Sequence, residues 1–203
     1  MRHVSLPKDG VLIEENLPKG ILHSFEKINT EIFDDAAIGS DRVADIVVKA
    51  IKDHEKAALP RPFKLGLTTG RTPISLYSNL TRQFKEGKVS FANVEVFSID
   101  EYYPCGSDSI QSRNHRLHDE FLDQVDVRKE NIHIPDGSVS KEEISDYCAE
   151  FDRIARGIDL LVIGVGEGGP VGFNEAGPTE KSVTRPAPRS YISRQRPAHN
   201  LHG

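Results

Sequence analysis

Apolar positions along this chain alternate between two spacings. Short apolar runs at Ile28–Phe33, Phe63–Leu67, Val94–Ile99, Ile132–Ile134 and Ile158–Gly164 read as strands. Between them the spacing turns helical. From Asp35 to about Ala57 the apolar positions Val43, Ile46, Val47, Ala50 and Ile51 fall on one helical face. Thr72 followed by Pro73 reads as N-cap and first helical residue of a segment carrying Ile74, Leu76, Tyr77 and Leu80. A third helix is predicted from Ser112 to about Val125. A fourth follows a Ser140/Glu143 capping box, with Ile144, Tyr147, Cys148, Phe151 and Ile154 along one side. The Ile158–Gly164 run is almost wholly apolar, as expected of a strand covered on both faces. Strands alternating with helices predict an α/β fold: an open, largely parallel, Rossmann-like sheet with helices on both faces.

The ends of the chain break this pattern. Residues 1–24 are punctuated by Pro7, Gly10, Pro18 and Gly20 and read as an N-terminal arm. The α/β domain is assigned to 25–185, apparently truncated. Residues 186–203 hold three prolines, no acid and no periodic apolar face, and read as an irregular basic tail rather than a nucleic-acid-binding arm. At 203 residues the chain suits one domain with appendages. Its 26 basic and 31 acidic residues, a net charge of −5, offer a polyanion such as nucleic acid no global attraction. Residues 1–9 lack the apolar core of a signal peptide, and no apolar run reaches the ~20 residues that span a bilayer. No membrane partner and a cytoplasmic location are therefore expected, with Cys105 and Cys148 as reduced thiols.

Chemistry concentrates where strands end. Leu67 exits into Thr68-Thr69-Gly70-Arg71-Thr72-Pro73, a hydroxyl-rich turn leading to a helix start. Backbone N–H groups there, three hydroxyls and a guanidinium suit an anion such as phosphate, although a plain threonine-capped turn would read the same way. The Gly-Lys-Ser/Thr ending of a Walker loop is absent. The next strand ends in Asp100-Glu101, either a solvated pair or a proton-transferring carboxylate with its neighbour. The last strand opens into Gly164-Val165-Gly166-Glu167-Gly168-Gly169-Pro170-Val171-Gly172-Phe173-Asn174-Glu175. Its G-x-G-x-x-G is a poor dinucleotide motif, because Pro170 opposes a helix start and no acid follows ~20 residues on. His133 reads as structural. No Cys/His/carboxylate cluster has metal-ligand spacing, so neither metal nor organic cofactor is expected.

Taken in order, Leu65–Pro73, Ile99–Tyr103, Val125–Gly137, Ile158 through Glu175 and Thr184-Arg185 resemble the glucosamine-6-phosphate deaminase/isomerase family over residues 25–185. The N-terminal arm resembles longer bacterial members that join such a domain to a deacetylase-like one. The sister 6-phosphogluconolactonases fit less well: they carry arginine after Asp-Glu, where this chain has Tyr102, and lack Phe-Asn-Glu. The resemblance implies a small-molecule sugar-phosphate substrate, with a homo-oligomer an open expectation. It places Thr69, Gly70, Arg71 and Thr72 around the 6-phosphate. It makes Asp100 the group that moves a proton between C2 and C1, and puts Glu175 in the ring-opening apparatus. Glu101, Gly166 and Asn174 would line the substrate loop. The implied reaction converts glucosamine 6-phosphate to fructose 6-phosphate and ammonia. Where the family has Asp-Gly-His, this chain has Gly168-Gly169-Pro170, none of which can transfer a proton. Weakened catalysis, a non-catalytic sugar-phosphate sensor, a lactonase-like hydrolase and a truncated fragment with no function of its own all remain open at this point.

Overall fold

The computed structural model describes residues 30–165, 171–174, 177–179 and 181–188. Its elements run α1 (Ala36–Lys56), β1 (Phe63–Leu67), α2 (Ile74–Lys85), β2 (Val94–Ser98), α3 (Arg113–Glu120), β3 (Ile132–His133), α4 (Ile144–Ile154) and β4 (Leu160–Leu161). Among the described residues the sheet has four parallel strands in the order β3-β2-β1-β4. This is the predicted α/β architecture.

The two faces follow from strand parity. Successive side chains of a strand point to opposite sides, so Phe63, Leu65 and Leu67 of β1 join Val94 and Val96 of β2 on one face. They pack there with Ala44, Val47 and Ile51 of α1 and with Leu76, Tyr77 and Leu80 of α2. Tyr77 stacks on Phe121 at 5.3 Å, and Phe91 meets the same ring edge-on at 5.3 Å. The opposite face carries Lys64, Glu95 and Phe97 beneath α4. Phe97 contacts Phe151 of α4 edge-on and stacks on His133 at 4.6 Å. Lys64 lays its ammonium over the Phe97 ring and donates to the carbonyls of Ile154 and Arg156, at the C-terminal end of α4 where a cation is favoured. His133 is structural, as expected.

Helices α1 and α3 start beside side-chain caps. Asp35 caps α1 through Ala37 N–H, and Ser112 caps α3 by accepting from His115 N–H at 3.3 Å. The Ser140/Glu143 box forms only in part: Ser140 Oγ accepts from Glu143 N–H at 3.3 Å and donates to Glu143 Oε2 at 2.6 Å, and α4 itself starts at Ile144 without a side-chain cap.

Other expectations need correction. Residues 30–33 of the predicted first strand are not extended into the sheet. Glu31 turns instead to a bidentate pair with Arg42 at 2.9 Å, and Phe33 packs over Gly39 of α1. Thr72 is not the α2 cap: hydrogen bonding begins one residue later, with Pro73 O accepting from Tyr77 N–H. Ile46 and Ile74, assigned to buried faces, are exposed. The last strand shortens to Leu160–Leu161, and Leu161, Ile163 and Val165 are exposed. That strand lies at the sheet's edge, and no described residue pairs beyond it. The N-terminal arm lies outside the described residues, as does the tail beyond Pro188. Residues 186–188 have no regular structure.

Candidate active site

Parallel pairing puts the exits of β1 and β2 at the same end of the sheet. Leu67 pairs with Ser98, and Ile99 N–H donates to Leu67 O, so the Thr68–Pro73 turn begins beside Ile99-Asp100. In open α/β sheets this carboxyl end is where ligands bind.

The turn has the features an anion site needs. Gly70 sits at φ +147°, a backbone state that a side chain would strain. Helix α2 starts without a side-chain cap, which leaves its first N–H groups available to a ligand or to water. Thr69 Oγ1 is buried and finds no hydrogen-bond partner among the described residues, a state that normally calls for one. Arg71 and Thr72 are exposed. Underneath, the Tyr77 hydroxyl donates to Thr68 O and anchors the turn to α2. Burial first, and then the negative charges of Glu120 and Asp100, push the Tyr77 phenol up, so it remains a neutral donor.

The two adjacent acids have different surroundings. Glu101 is consumed by its own neighbours. Its Oε1 accepts from the N–H groups of Tyr102 at 2.7 Å and Arg113 at 2.9 Å, and its Oε2 from Ser112 Oγ at 2.7 Å and Asn114 N–H at 2.9 Å. A carboxylate over the first turn of α3 satisfies donors that the helix itself cannot, and meets the positive end of the helix dipole. Asp100 instead faces a cleft of about 370 Å³. Arg113 lies beside it, with Nε 3.8 Å from Asp100 Oδ1 and both side chains largely buried.

The cleft mixes aromatic and apolar walls with acidic and other polar side chains. Tyr102 and Tyr103 wall one side, Ile144, Tyr147 and Cys148 of α4 another, and Phe173 a third. This is why the apolar face of α4 is only half-buried: it borders a cavity rather than solid core. Cys148 and Cys105 are both free, and burial, with Asp152 nearby, pushes the Cys148 thiol up. Residues 182–187 close the outer rim. Thr184 donates its hydroxyl to Asp152 Oδ1 at 2.6 Å, and Arg185 donates to Asn174 Oδ1 at 3.0 Å.

Of the residues singled out from the sequence, Asp100, Glu101 and Asn174 line one cleft, whereas Thr69, Gly70, Arg71 and Thr72 stand at the neighbouring strand end outside its lining. Glu175 and Gly166 lie outside the described residues, as do Gly168 and Pro170. Two residues were missed. Gly172, at φ +58°, lets its loop settle on Asp100, since a Cβ there would stand 3.0 Å from Asp100 Oδ2. The glycine-rich pattern contained it without distinguishing it from its neighbours. Arg113 carried no signal, because a basic residue after a helix cap is unremarkable until its side chain is seen against Asp100.

Residues 34–171 match the family model described as glucosamine-6-phosphate isomerases/6-phosphogluconolactonase. A glucosamine-6-phosphate deaminase-like protein of Bacteroides thetaiotaomicron is 37% identical over 175 residues, covering 85% of this chain and 26% of that protein. A glucosamine-6-phosphate deaminase of Thermoanaerobacter sp. is 37% identical over 148 residues, covering 72% of this chain and 55% of that enzyme. Among solved structures, a monomeric glucosamine-6-phosphate deaminase superposes with a TM-score of 0.74 at 27% identity, over 83% of this chain and 68% of that one. The chain thus spans about a quarter to a half of the length of these two sequence relatives.

Proposed function

The chain belongs to the glucosamine-6-phosphate isomerase/6-phosphogluconolactonase family, and from that premise we propose that it acts on an amino-sugar phosphate, converting glucosamine 6-phosphate and water to fructose 6-phosphate and ammonia. The observation that carries the reading is a largely buried carboxylate, Asp100, bordering a cleft one strand away from the Thr69–Thr72 turn. The turn would hold the 6-phosphate through backbone N–H groups, the buried Thr69 hydroxyl and Arg71. In the open-chain sugar, Asp100 would take the C2 proton, giving an enolamine, and return a proton to C1. The resulting C2 imine adds water and releases ammonia, leaving the ketone.

Ring opening is the weak step of this scheme. A positioned acid or base is typically worth about 10²–10⁴ in rate, and Gly168-Gly169-Pro170 supplies none. Slow turnover follows, and the same substitution favours a second reading, a sugar-phosphate sensor that binds without reacting. An assay following ammonia and fructose 6-phosphate, run beside calorimetric titration with glucosamine 6-phosphate, separates the two. Turnover abolished by Asp100→Asn supports the enzyme, and binding without turnover supports the sensor. Absence of both would sink the proposal.

A further inference from the structure

We propose that Tyr77 is a positioning residue for the anion turn: its phenol holds the Thr68–Thr69 peptide in the orientation that presents the Thr69 N–H to a bound phosphate. The inference rests on the reading of Thr69–Thr72 as the phosphate site.

The hydrogen-bond ladder of the sheet stops just short of the turn. Ile99 N–H donates to Leu67 O at 3.2 Å, and among the described residues no further backbone bond links the β1 and β2 exits. Thr68 O is thus the first carbonyl beyond the ladder, and a carbonyl turned into the protein needs a partner. Tyr77 supplies it. Side chains of a helix lean toward its N-terminus. A tyrosine in the first turn of α2 therefore reaches back to the strand exit, and its hydroxyl donates to Thr68 O. The same residue closes the first hydrogen bond of α2, its N–H donating to Pro73 O at 2.9 Å. One residue ties down both the helix start and the turn before it.

The consequence lies in the peptide plane. In a trans peptide the C=O and N–H point in opposite directions. Tyr77 is fully buried and stacks on Phe121 at 5.3 Å, so its bond turns Thr68 O toward the core. The Thr69 N–H is thereby aimed the other way, out of the core. That N–H donates to nothing among the described residues, and the buried Thr69 hydroxyl likewise has no partner among them. Two donors on one residue call for an acceptor, beside the uncapped first N–H groups of α2.

The phenol suits this task because it stays a donor. Burial first, and then the negative charges of Glu120 and Asp100, keep its proton on. Without the hydroxyl, Thr68 O either remains unpaired or the peptide plane tilts until the carbonyl meets water. Thr69 N–H tilts with it. A hydrogen bond weakens steeply as its angle falls toward about 120°, so phosphate would lose a donor although Tyr77 never touches it.

The test uses the full chain, unaltered and as Tyr77→Phe and Phe121→Leu, with inorganic phosphate as the probe. Tyr77→Phe keeps the ring and removes the hydroxyl, whereas Phe121→Leu loosens the same stack and keeps the hydroxyl. In the unaltered chain, labelled with ¹⁵N, the Thr69 amide proton should shift downfield on phosphate saturation. Tyr77→Phe should raise the phosphate Kd about 3–10-fold, the worth of one ordinary hydrogen bond, and shrink the Thr69 shift at saturation. Phe121→Leu should lower Tm and leave the phosphate Kd and the Thr69 shift in place. An unchanged Kd and Thr69 shift in Tyr77→Phe overturn the inference. So does an equal loss of affinity in Phe121→Leu, which would trace the effect to a loosened core. The unaltered chain adds a check that needs no variant. A Thr69 amide that stays still while phosphate shifts Arg71 and Thr72 overturns the inference and leaves the phosphate site standing. Phosphate that shifts no residue of the turn overturns both.

Discussion

Replacing Glu101 with glutamine tests whether the second acid of the pair anchors helix α3 or serves the reaction. Its carboxylate accepts four hydrogen bonds, three from backbone N–H groups. A glutamine amide has one oxygen and one NH₂, so two of those donors would meet another donor. Ser112 Oγ can rotate to accept, but Asn114 N–H cannot, nor can the backbone pair of Tyr102 and Arg113 in the flipped orientation. At least one part-buried donor is stranded, at about 1–3 kcal/mol. Loss of the negative charge at the helix N-terminus adds about 0.3–1 kcal/mol, and the surviving bonds lose their charge assistance. The sum is about 2–4 kcal/mol, or a fall of roughly 5–15 °C in Tm for a chain of this size. Urea unfolding followed by circular dichroism would measure it, with an unchanged slope showing that stability and not compactness had changed. An exposed substitution costs less than about 0.5 kcal/mol. A loss that small would refute the anchoring role and return Glu101 to the list of substrate contacts.

Two further changes probe the frame around the site. Asp159 is held down to about 2, chiefly by hydrogen bonds from Arg61, helped by Lys64 N–H and opposed by its partial burial. Its folded value lies below its unfolded one, so its contribution is complete above about pH 4 and lost as pH falls through 2. Allowing for solvent screening of the partly exposed pair, Asp159→Asn should cost about 1 kcal/mol at pH 7, and the difference in urea midpoints should shrink below pH 3. Gly137→Ala should destabilise by about 3 kcal/mol, because a Cβ there overlaps Tyr102 O and stands 2.5 Å from Cys105 O. A thermal melt unchanged from that of the unaltered chain would show that the backbone yields easily at this crossing.

The elements written most plainly in the sequence are those set by near neighbours. The apolar spacing of α1, the start of α3 at Ser112 and the apolar runs of β1 and β2 each depend on residues a few positions apart. Their physics is complete within one or two turns of chain. The exits of those strands were likewise legible as a candidate site, because a turn of hydroxyls and a pair of acids fall at the same end of any parallel sheet. What the sequence left undecided depends on partners far along the chain. Whether an apolar run becomes a strand turns on another strand being free to pair with it. Residues 30–33 found Arg42 and Gly39 instead, and the run after Ile158 found β1 for only Leu160 and Leu161. Asp100 and Glu101 are chemically alike and adjacent, and only the arrival of α3 separates them, by surrounding Glu101 with donors. Arg113 acquires its place only when the rings of Tyr102 and Phe173 come together from segments some seventy residues apart. Local spacing wrote the scaffold and pointed to the end of the sheet where chemistry could occur. The division of labour between two neighbouring carboxylates came from long-range packing, which sets each charge's partners and exposure and leaves no periodic trace in the chain.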